Sequence, residues 1–198
     1  MARDKQLELI ELVKKLSEDC NIAVMSGSLP NGVSPEFYNE VLSVIPKRVK
    51  KIVDAETDNM EAALKSQIFM VKPNLRELES FAKDTLHTKA DIVKAARKYI
   101  DRGVEYALVS LGADGAILTN CSESFYCKSA NVAVNSTVGA GDCMVAAACV
   151  QLEKGVDMRE LLRCSVAAGT AAITTSGTNL FYRDKYEEIY SKIFVEKL

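Results

Sequence analysis

The chain has 198 residues, of which 48% are hydrophobic and 26% are charged, and its formal net charge at pH 7 is −2. A chain of this length and composition can bury a globular core without disulfides or metals to support it. The balanced charge excludes a surface built to bind nucleic acid, and no apolar run reaches the ~18 residues of a membrane span. We therefore expect neither nucleic-acid nor membrane partners.

The six cysteines and the single histidine argue against a zinc site, because no two cysteines form Cys-x-x-Cys. Several of these cysteines lie in apolar stretches, where a free thiol behaves as a small hydrophobic group. The chain starts with charged residues that lead into an amphipathic helix, unlike the apolar core of a signal peptide. These features predict a reducing, cytoplasmic setting.

The amino-terminal third alternates predicted helices with short buried strands. Apolar residues recur at helical spacing over residues 5–17, and the apolar run at 22–25 indicates a strand. Ser34-Pro35-Glu36 combines an N-cap, a proline at the first helical position and an early acid, so a helix is predicted from there to about Pro46. Two further strands are predicted over residues 51–54 and 68–71.

A short basic cluster, formed by Lys47, Arg48, Lys50 and Lys51, precedes one of these strands. Charge runs of this length usually belong to solvated surface. We interpret the cluster as a solvated loop and strand start rather than a track for a phosphate backbone.

The rest of the chain continues the alternation of helices and strands. Strands are predicted over 106–110, 116–119 and 124–128, and helices from about 74, over 91–102, over 139–175 with a break near Lys154-Gly155, and over 183–195. Strands that alternate with helices are typical of an α/β fold. We predict a doubly wound, mostly parallel sheet with helices on both faces, in a single domain spanning residues 1–198.

The most informative segment is a glycine turn, in which Gly139, Ala140 and Gly141 precede Asp142 and a long helix of small residues. The N-terminus of a helix has free backbone N–H groups and a positive dipole end, and residues without bulk let an anion approach them. The turn therefore predicts a phosphate-binding cradle. Asp142 either stabilises the helix start or accepts a proton from a hydroxyl that attacks the phosphate, and a lone glycine turn leaves both roles open.

Two other segments carry candidate ligands at the ends of predicted strands. Asn74 and Glu77 share one helix face, where they can hold a hydrated magnesium ion through water, or act as a helix cap and a solvated acid. The segment from Ser110 to Gly115 follows the clearest buried strand, where α/β proteins bind ligands, although an ordinary glycine turn would have the same sequence.

The segment Ser136-Thr137-Val138-Gly139-Ala140-Gly141-Asp142 is very similar to the second signature of the phosphofructokinase B family of ribokinase-like carbohydrate kinases. This resemblance implies that Asp142 is the catalytic base. It also implies that the amides of Gly139, Ala140 and Gly141 form an anion hole for the transferred phosphoryl group.

Further segments resemble the family in the same order along the chain, and they imply the remaining site residues. The residues implied for nucleotide binding are Lys72, Asn74, Ser110, Gly112, Ala113, Asp114, Gly115, Thr137, Val166 and Thr170. Gly27 and Ser28, in a Gly-Ser-Leu-Pro loop, are implied to contact the sugar together with Asp142. Asn74 and Glu77 look like the family's Asn-x-x-Glu motif, which organises Mg²⁺ through water.

The resemblance implies an ATP-dependent kinase that transfers the γ-phosphoryl group to a hydroxyl of fructose 1-phosphate or fructose 6-phosphate, with ADP as product. Tagatose-6-phosphate kinases are close relatives that these residues do not separate. The alternatives are a nucleotide-binding remnant with little or no kinase activity and, far less favoured, a dehydrogenase, because no Gly-x-Gly-x-x-Gly follows an early strand.

Family members begin with a segment that has no counterpart in this chain. It carries the first strands of the sheet, a glycine-rich first signature, a small β lid and the aspartate that binds the sugar hydroxyls. Without it we expect an exposed strand edge, association as a homodimer or with a complementing N-terminal fragment, and slow turnover.

Overall fold

Helices and strands alternate along the part of the chain that this computed structural model describes, residues 1–179 and 181–198. The strands are β1 (Ile22–Ser26), β2 (Lys50–Asp54), β3 (Met70–Val71), β4 (Tyr106–Ser110), β5 (Ala116–Thr119), β6 (Ser124–Cys127) and β7 (Val195–Lys197). The helices are α1 (Arg3–Leu16), α2 (Glu36–Ser43), α3 (Thr57–Ala63), α4 (Leu75–Ala82), α5 (Lys89–Ile100), α6 (Ala140–Lys154), α7 (Met158–Ala172) and α8 (Arg183–Lys192). No helix in these two ranges is both long and apolar enough to cross a bilayer.

The chain divides into two compact units, Met1–Ala107 and Leu108–Leu198. In the first unit, β1, β2, β3 and the start of β4 run parallel, with Ile52 paired to Met70 and Met70 to Tyr106. The middle of this sheet is fully buried, as expected for parallel strands. Since parallel strands end at a common edge, the segments that follow β1, β2 and β3 emerge on the same side of the sheet.

In the second unit, β5, β6 and β7 are antiparallel, and α6 packs against α7. The two helices approach closely at Gly169 of α7, where a Cβ would lie 2.6 Å from Met144 Cγ and 3.2 Å from the Ala140 carbonyl oxygen. Gly155 ends α6 in the left-handed conformation, at φ 67°. This glycine is the break predicted between the two helices.

The predicted fold class, α/β with a mostly parallel sheet, is confirmed, but two elements differ from the prediction. The final helix, predicted over residues 183–195, ends at Lys192, and residues 195–197 form β7, because Val195 pairs with Cys127 and the preceding Ile193 is buried. Helix α3 was not predicted, since seven residues give little periodicity to detect. The single-domain assignment stays a prediction.

One member of the basic cluster is more buried than the sequence predicted. The interpretation of all four residues as solvated is wrong for Lys51, which is only 5% exposed. Lys51 lies inside β2, in the register that places it opposite Ala23 of β1, so its side chain is covered by the fold.

Candidate active site

A cleft of about 320 Å³ in the second unit lies against the first turn of α6. It brings together most of the residues that the sequence assigned to the nucleotide, namely Ser110, Gly112, Ala113, Gly115, Thr137, Val166 and Thr170. Ala140 and Gly141 of the predicted anion hole also line it. Asp114, Gly139 and Asp142 do not line it. The sequence missed Ser129, Val134, Met144, Gly169 and Ile173, which reach the cleft only through tertiary packing.

The walls of the cleft are mainly apolar, with a few hydroxyl groups. Val134, Met144 and Ile173 provide apolar surface, and Thr170 Oγ1 lies 3.4 Å from Ser129 Oγ across the cleft lining. Pockets for heterocyclic ligands have this composition, with apolar walls that cover a ring and a few polar groups that orient it.

The loop after β4 is held at the cleft by a close backbone approach. The Leu111 N–H donates to the Gly115 carbonyl oxygen at 2.8 Å, and Gly115 has φ 90°. A Cβ at Gly115 would lie 1.9 Å from the carbonyl oxygen of Cys127 in β6, so this position requires glycine. Gly112 and Ala113 at the tip of the loop are exposed.

The glycine turn forms the N-terminus of α6, as the sequence predicted. Gly139 is the N-cap with φ 81°, and the Cys143 N–H donates to its carbonyl oxygen at 2.9 Å. The N–H groups of Gly141 and Asp142 in the first turn have no acceptor within the helix. Asp142 is exposed, so its carboxylate is accessible to a ligand at this turn.

The backbone before the turn is anchored to the end of α7. The Asn135 N–H donates to the Ile173 carbonyl oxygen at 2.8 Å, and Asn135 Nδ2 donates to the Thr174 carbonyl oxygen at 2.6 Å. The Val138 N–H donates to Ser136 Oγ at 3.2 Å. These contacts fix the conformation of the turn without a ligand, which lowers the entropy cost of binding an anion there.

In the first unit, the Gly-Ser-Leu-Pro loop is fixed at the carboxyl end of the sheet. The Gly27 N–H donates to the Asp54 carbonyl oxygen at 3.0 Å, and the buried Tyr38 hydroxyl donates to the Gly27 carbonyl oxygen at 2.5 Å. Burial, with the nearby charges of Asp54 and Glu56, raises the pKa of Tyr38 to about 12, so the hydroxyl keeps its proton. Ser28 is exposed beside this anchored glycine.

Lys72 is buried just after β3 and forms an ion pair with Asp54 at the end of β2, with Nζ 3.1 Å from Oδ2. The sequence assigned Lys72 to the nucleotide but gave no role to Asp54 or Tyr38. An acid at the end of a buried strand was the available signal for Asp54. Tyr38 lies in α2, and nothing in its sequence context connects it with the loop.

Asn74 and Glu77 form a capping box at the start of α4. The Glu77 N–H donates to Asn74 Oδ1 at 3.0 Å, and the Asn74 N–H donates to Glu77 Oε2 at 2.8 Å. Burial raises the pKa of Glu77, while the Asn74 hydrogen bond and Lys72 lower it and the charges of Asp54 and Glu56 raise it further. Capping uses one lone pair of the carboxylate, which leaves acceptor sites for water on a cation.

A hydrated divalent cation fits the chemistry of this edge of the first unit. Asp54, Glu56 and Glu77 are near enough for their charges to oppose one another, and oxygen is the donor that Mg²⁺ prefers. Across residues 1–179 and 181–198, no group of three or more His, Cys, Asp and Glu side chains is arranged to hold a metal directly. Mg²⁺ commonly binds through one or two carboxylates, waters and substrate phosphates.

The α/β fold, the apolar cleft and the anion cradle together are typical of a nucleotide-binding phosphotransferase. The chain matches the pfkB family of carbohydrate kinases over residues 2–185 and belongs to that family. It is 36% identical over 191 residues to the ATP-dependent 6-phosphofructokinase isozyme 2 of Escherichia coli K12, covering 95% of this chain and 62% of that relative. It is 32% identical over 174 residues to the 1-phosphofructokinase of the same strain, covering 87% of this chain and 56% of that relative.

Solved structures agree with this assignment. Phosphofructokinase-2 from Escherichia coli in complex with potassium superposes with a TM-score of 0.89 at 35% identity, covering 97% of this chain and 63% of that chain. The same enzyme in complex with fructose-6-phosphate gives a TM-score of 0.85 at 33% identity. The chain thus spans less than two thirds of the length of these relatives.

Proposed function

We propose that this chain carries the ATP-binding and phosphoryl-transfer residues of a kinase that phosphorylates a hydroxyl of fructose 1-phosphate or fructose 6-phosphate. The observation that carries the proposal is the second-unit cleft, which lies against the glycine turn and is lined by most of the predicted nucleotide residues. The names of the similar proteins, 6-phosphofructokinase and 1-phosphofructokinase, support this acceptor class. Tagatose 6-phosphate stays an alternative acceptor.

In this proposal the base and ribose of ATP occupy the cleft, and the N–H groups of Gly139, Ala140 and Gly141 donate to the transferred phosphoryl group. The Ala140 N–H would exchange its long contact with the Thr137 carbonyl oxygen, at 3.4 Å, for the phosphoryl oxygen. Charge builds up on the phosphoryl oxygens during transfer, and fixed N–H donors stabilise it without reorganising. Asp142 accepts the proton of the attacking hydroxyl. Phosphoryl transfer through a loose transition state asks little of this base, so an exposed carboxylate is sufficient.

The first unit contributes charge and substrate contacts. Lys72 pairs with a nucleotide phosphate while Asp54 holds its ammonium group in position, and Gly27 and Ser28 contact the phosphosugar. Asn74 and Glu77 would hold Mg²⁺ through its waters. The chemistry that a bound Mg²⁺ supplies is neutralisation of the phosphate oxygens.

The second candidate is a chain that binds nucleotide but turns over slowly or not at all. The match covers 62% of the length of one relative and 56% of another, so the activity of those relatives is a proposal for this chain. Orientation of both substrates contributes ~7–11 kcal/mol to such reactions, so a missing sugar contact would cost orders of magnitude in rate. A homodimer or a complementing N-terminal fragment is the proposed source of such contacts, in a cytoplasmic setting.

Asp142→Asn tests the proposed catalytic base. We expect ADP affinity within about twofold of wild type, because the backbone donors remain, and turnover lowered by roughly a hundredfold or more, because the proton acceptor is lost. The measurements are a coupled assay with ATP and each fructose phosphate and an ADP titration on the same preparation. Asp4→Asn, an exposed acid in the first turn of α1, is the matched control.

Wild-type turnover by Asp142→Asn would remove the base assignment. A wild-type chain that binds ADP and phosphorylates no phosphosugar would instead support the second candidate.

A further inference from the structure

A pocket of about 250 Å³, different from the second-unit cleft, lies in the first unit at the amino-terminal ends of β2, β3 and β4. Its lining includes the whole basic cluster of Lys47, Arg48, Lys50 and Lys51, and Glu105 is its acidic member. The candidate active-site residues of this unit follow the carboxyl ends of the same strands. Five residues of β2 separate the two edges, which corresponds to roughly 13 Å along the strand.

Two of the four cations already have partners in the fold. The Arg48 guanidinium donates to the carbonyl oxygens of Glu18 and Cys20. The Lys50 ammonium lies over the Phe69 ring, 5.3 Å from its centroid. These contacts explain their positions without a ligand.

Lys51 and Lys47 have no such explanation. Lys51 is 5% exposed, and no residue within 1–179 or 181–198 forms a hydrogen bond or an ion pair with its ammonium group. Burial, followed by the charge of Lys47, lowers the pKa of Lys51. The Lys51 ammonium group itself reaches the pocket, where the charge of Lys47 opposes it, so a bound anion would offset the repulsion between the two cations.

We propose that this pocket binds a small phosphate-bearing anion, with Lys51 and Lys47 as its charged ligands. An ammonium group is a compact point charge that binds phosphate oxygens well. The pocket is partly open, so it accepts either inorganic phosphate or the phosphate group of a small metabolite. This site is separate from the phosphoryl-transfer residues and does not depend on the proposed kinase activity.

The test is a titration of the full chain with inorganic phosphate, followed by backbone amide NMR at constant ionic strength. We expect saturable shifts at residues 47–51 and 67–69, distinct from any shifts at the α6 turn, residues 139–142. Lys51→Met should weaken the phosphate affinity measured from the first set of shifts by at least about tenfold, as for loss of a charge-assisted hydrogen bond. It should leave the affinity measured from the second set unchanged. Lys65→Met is the control, because Lys65 is exposed and pairs with Glu36 outside the pocket.

Lys47→Gln keeps the test valid if Lys51→Met does not fold, because Lys47 is exposed. This variant should weaken the phosphate affinity measured at the same residues severalfold. A parallel titration with fructose 6-phosphate distinguishes a metabolite from free phosphate as the preferred ligand. Three results would overturn the proposal. The first is the absence of shifts at residues 47–51, and the second is equal shifts with chloride at the same ionic strength. The third is unchanged phosphate affinity in a folded Lys51→Met or Lys47→Gln variant.

Discussion

Gly115 positions the loop after β4, which lines the second-unit cleft. Its φ of 90° is strained for any other residue, and a Cβ would overlap the Cys127 carbonyl oxygen at 1.9 Å. Gly115→Ala therefore combines backbone strain with displacement of β6 and should cost about 3 kcal/mol of unfolding free energy. Urea denaturation provides the measurement.

Gly155→Ala is the matched control in the same unit. It also has a positive φ, of 67°, but nothing lies within 4 Å of a Cβ there, so only about 1 kcal/mol of strain is expected. Equal losses for the two variants would mean that the contact with β6 does not constrain the loop.

At the residue scale, the sequence predicts the parts of the site that are contiguous in the chain. The turn from Gly139 to Asp142 was recognisable because helix-start chemistry depends on neighbours along the chain. Val134 and Ile173 were not, because tertiary packing alone brings them to the cleft. Asp54 was missed for the same reason, since its importance depends on Lys72 of the adjacent strand segment.

Helix α4 begins with a capping box whose acid, Glu77, is also a proposed magnesium ligand. Glutamine can take the N3 position of a capping box, so Glu77→Gln removes the charge but retains the hydrogen bonds. If the proposed role is correct, this variant should raise the Mg²⁺ concentration needed for turnover or for metal-dependent nucleotide binding more than it weakens metal-free nucleotide binding. An unchanged magnesium titration would leave capping as the only role of Glu77.

The same variant has a predicted pH dependence of stability. Burial raises the folded-state pKa of Glu77 above 4.5, so ionisation destabilises the fold progressively as pH rises from that value. Glu77→Gln should therefore gain stability relative to wild type as the pH rises above 4.5, until the pH passes the folded-state pKa of Glu77. Denaturation at several pH values measures this difference.

Asp91 in the capping box of α5 provides a control of opposite sign. Hydrogen bonds from Thr88 lower its pKa below 3.8, so the ionised acid stabilises the fold above that pH, and this contribution is lost on acidification. Asp91→Asn should be less stable than wild type at neutral pH and approach wild-type stability as the pH falls below 3.8. Parallel pH profiles for the two variants would contradict both assignments.

Element boundaries show where local sequence patterns stop being informative. Both capping boxes and the Gly155 stop lie near predicted helix ends, because each depends on a few adjacent residues. Strand β7 depends on pairing with β6, more than 60 residues earlier in the chain, and the local pattern at Val195 did not reveal it. The parallel strands were found because each contains a short apolar run in the sequence.

At the scale of the whole chain, the first unit exposes apolar residues on its outermost strand and on α1. Within the described residues β1 pairs on one side only, and Val24 on this strand is 46% exposed. Leu9, Leu12 and Leu16 of α1 are also exposed. Unpaired strand edges with apolar side chains favour association with another chain.

We expect the purified chain to associate in a concentration-dependent manner and Val24→Lys to reduce this association, because a charged residue on an edge strand opposes pairing. Sedimentation velocity over a range of concentrations measures it. Val150→Lys is the control, since Val150 is a similarly exposed valine on α6. The β1 edge would be excluded as the contact if both variants associated like wild type.

The central claim is that the second-unit cleft binds the nucleotide, and a calorimetric titration with ADP tests it most directly. Ala113 lines the cleft from an exposed loop, so Ala113→Trp should fill the cleft without disturbing the core. We expect saturable binding of one ADP per wild-type chain and its loss in Ala113→Trp. Nucleotide binding at this cleft would be contradicted by a folded wild-type chain that binds no ADP, or by an Ala113→Trp variant that binds it equally well.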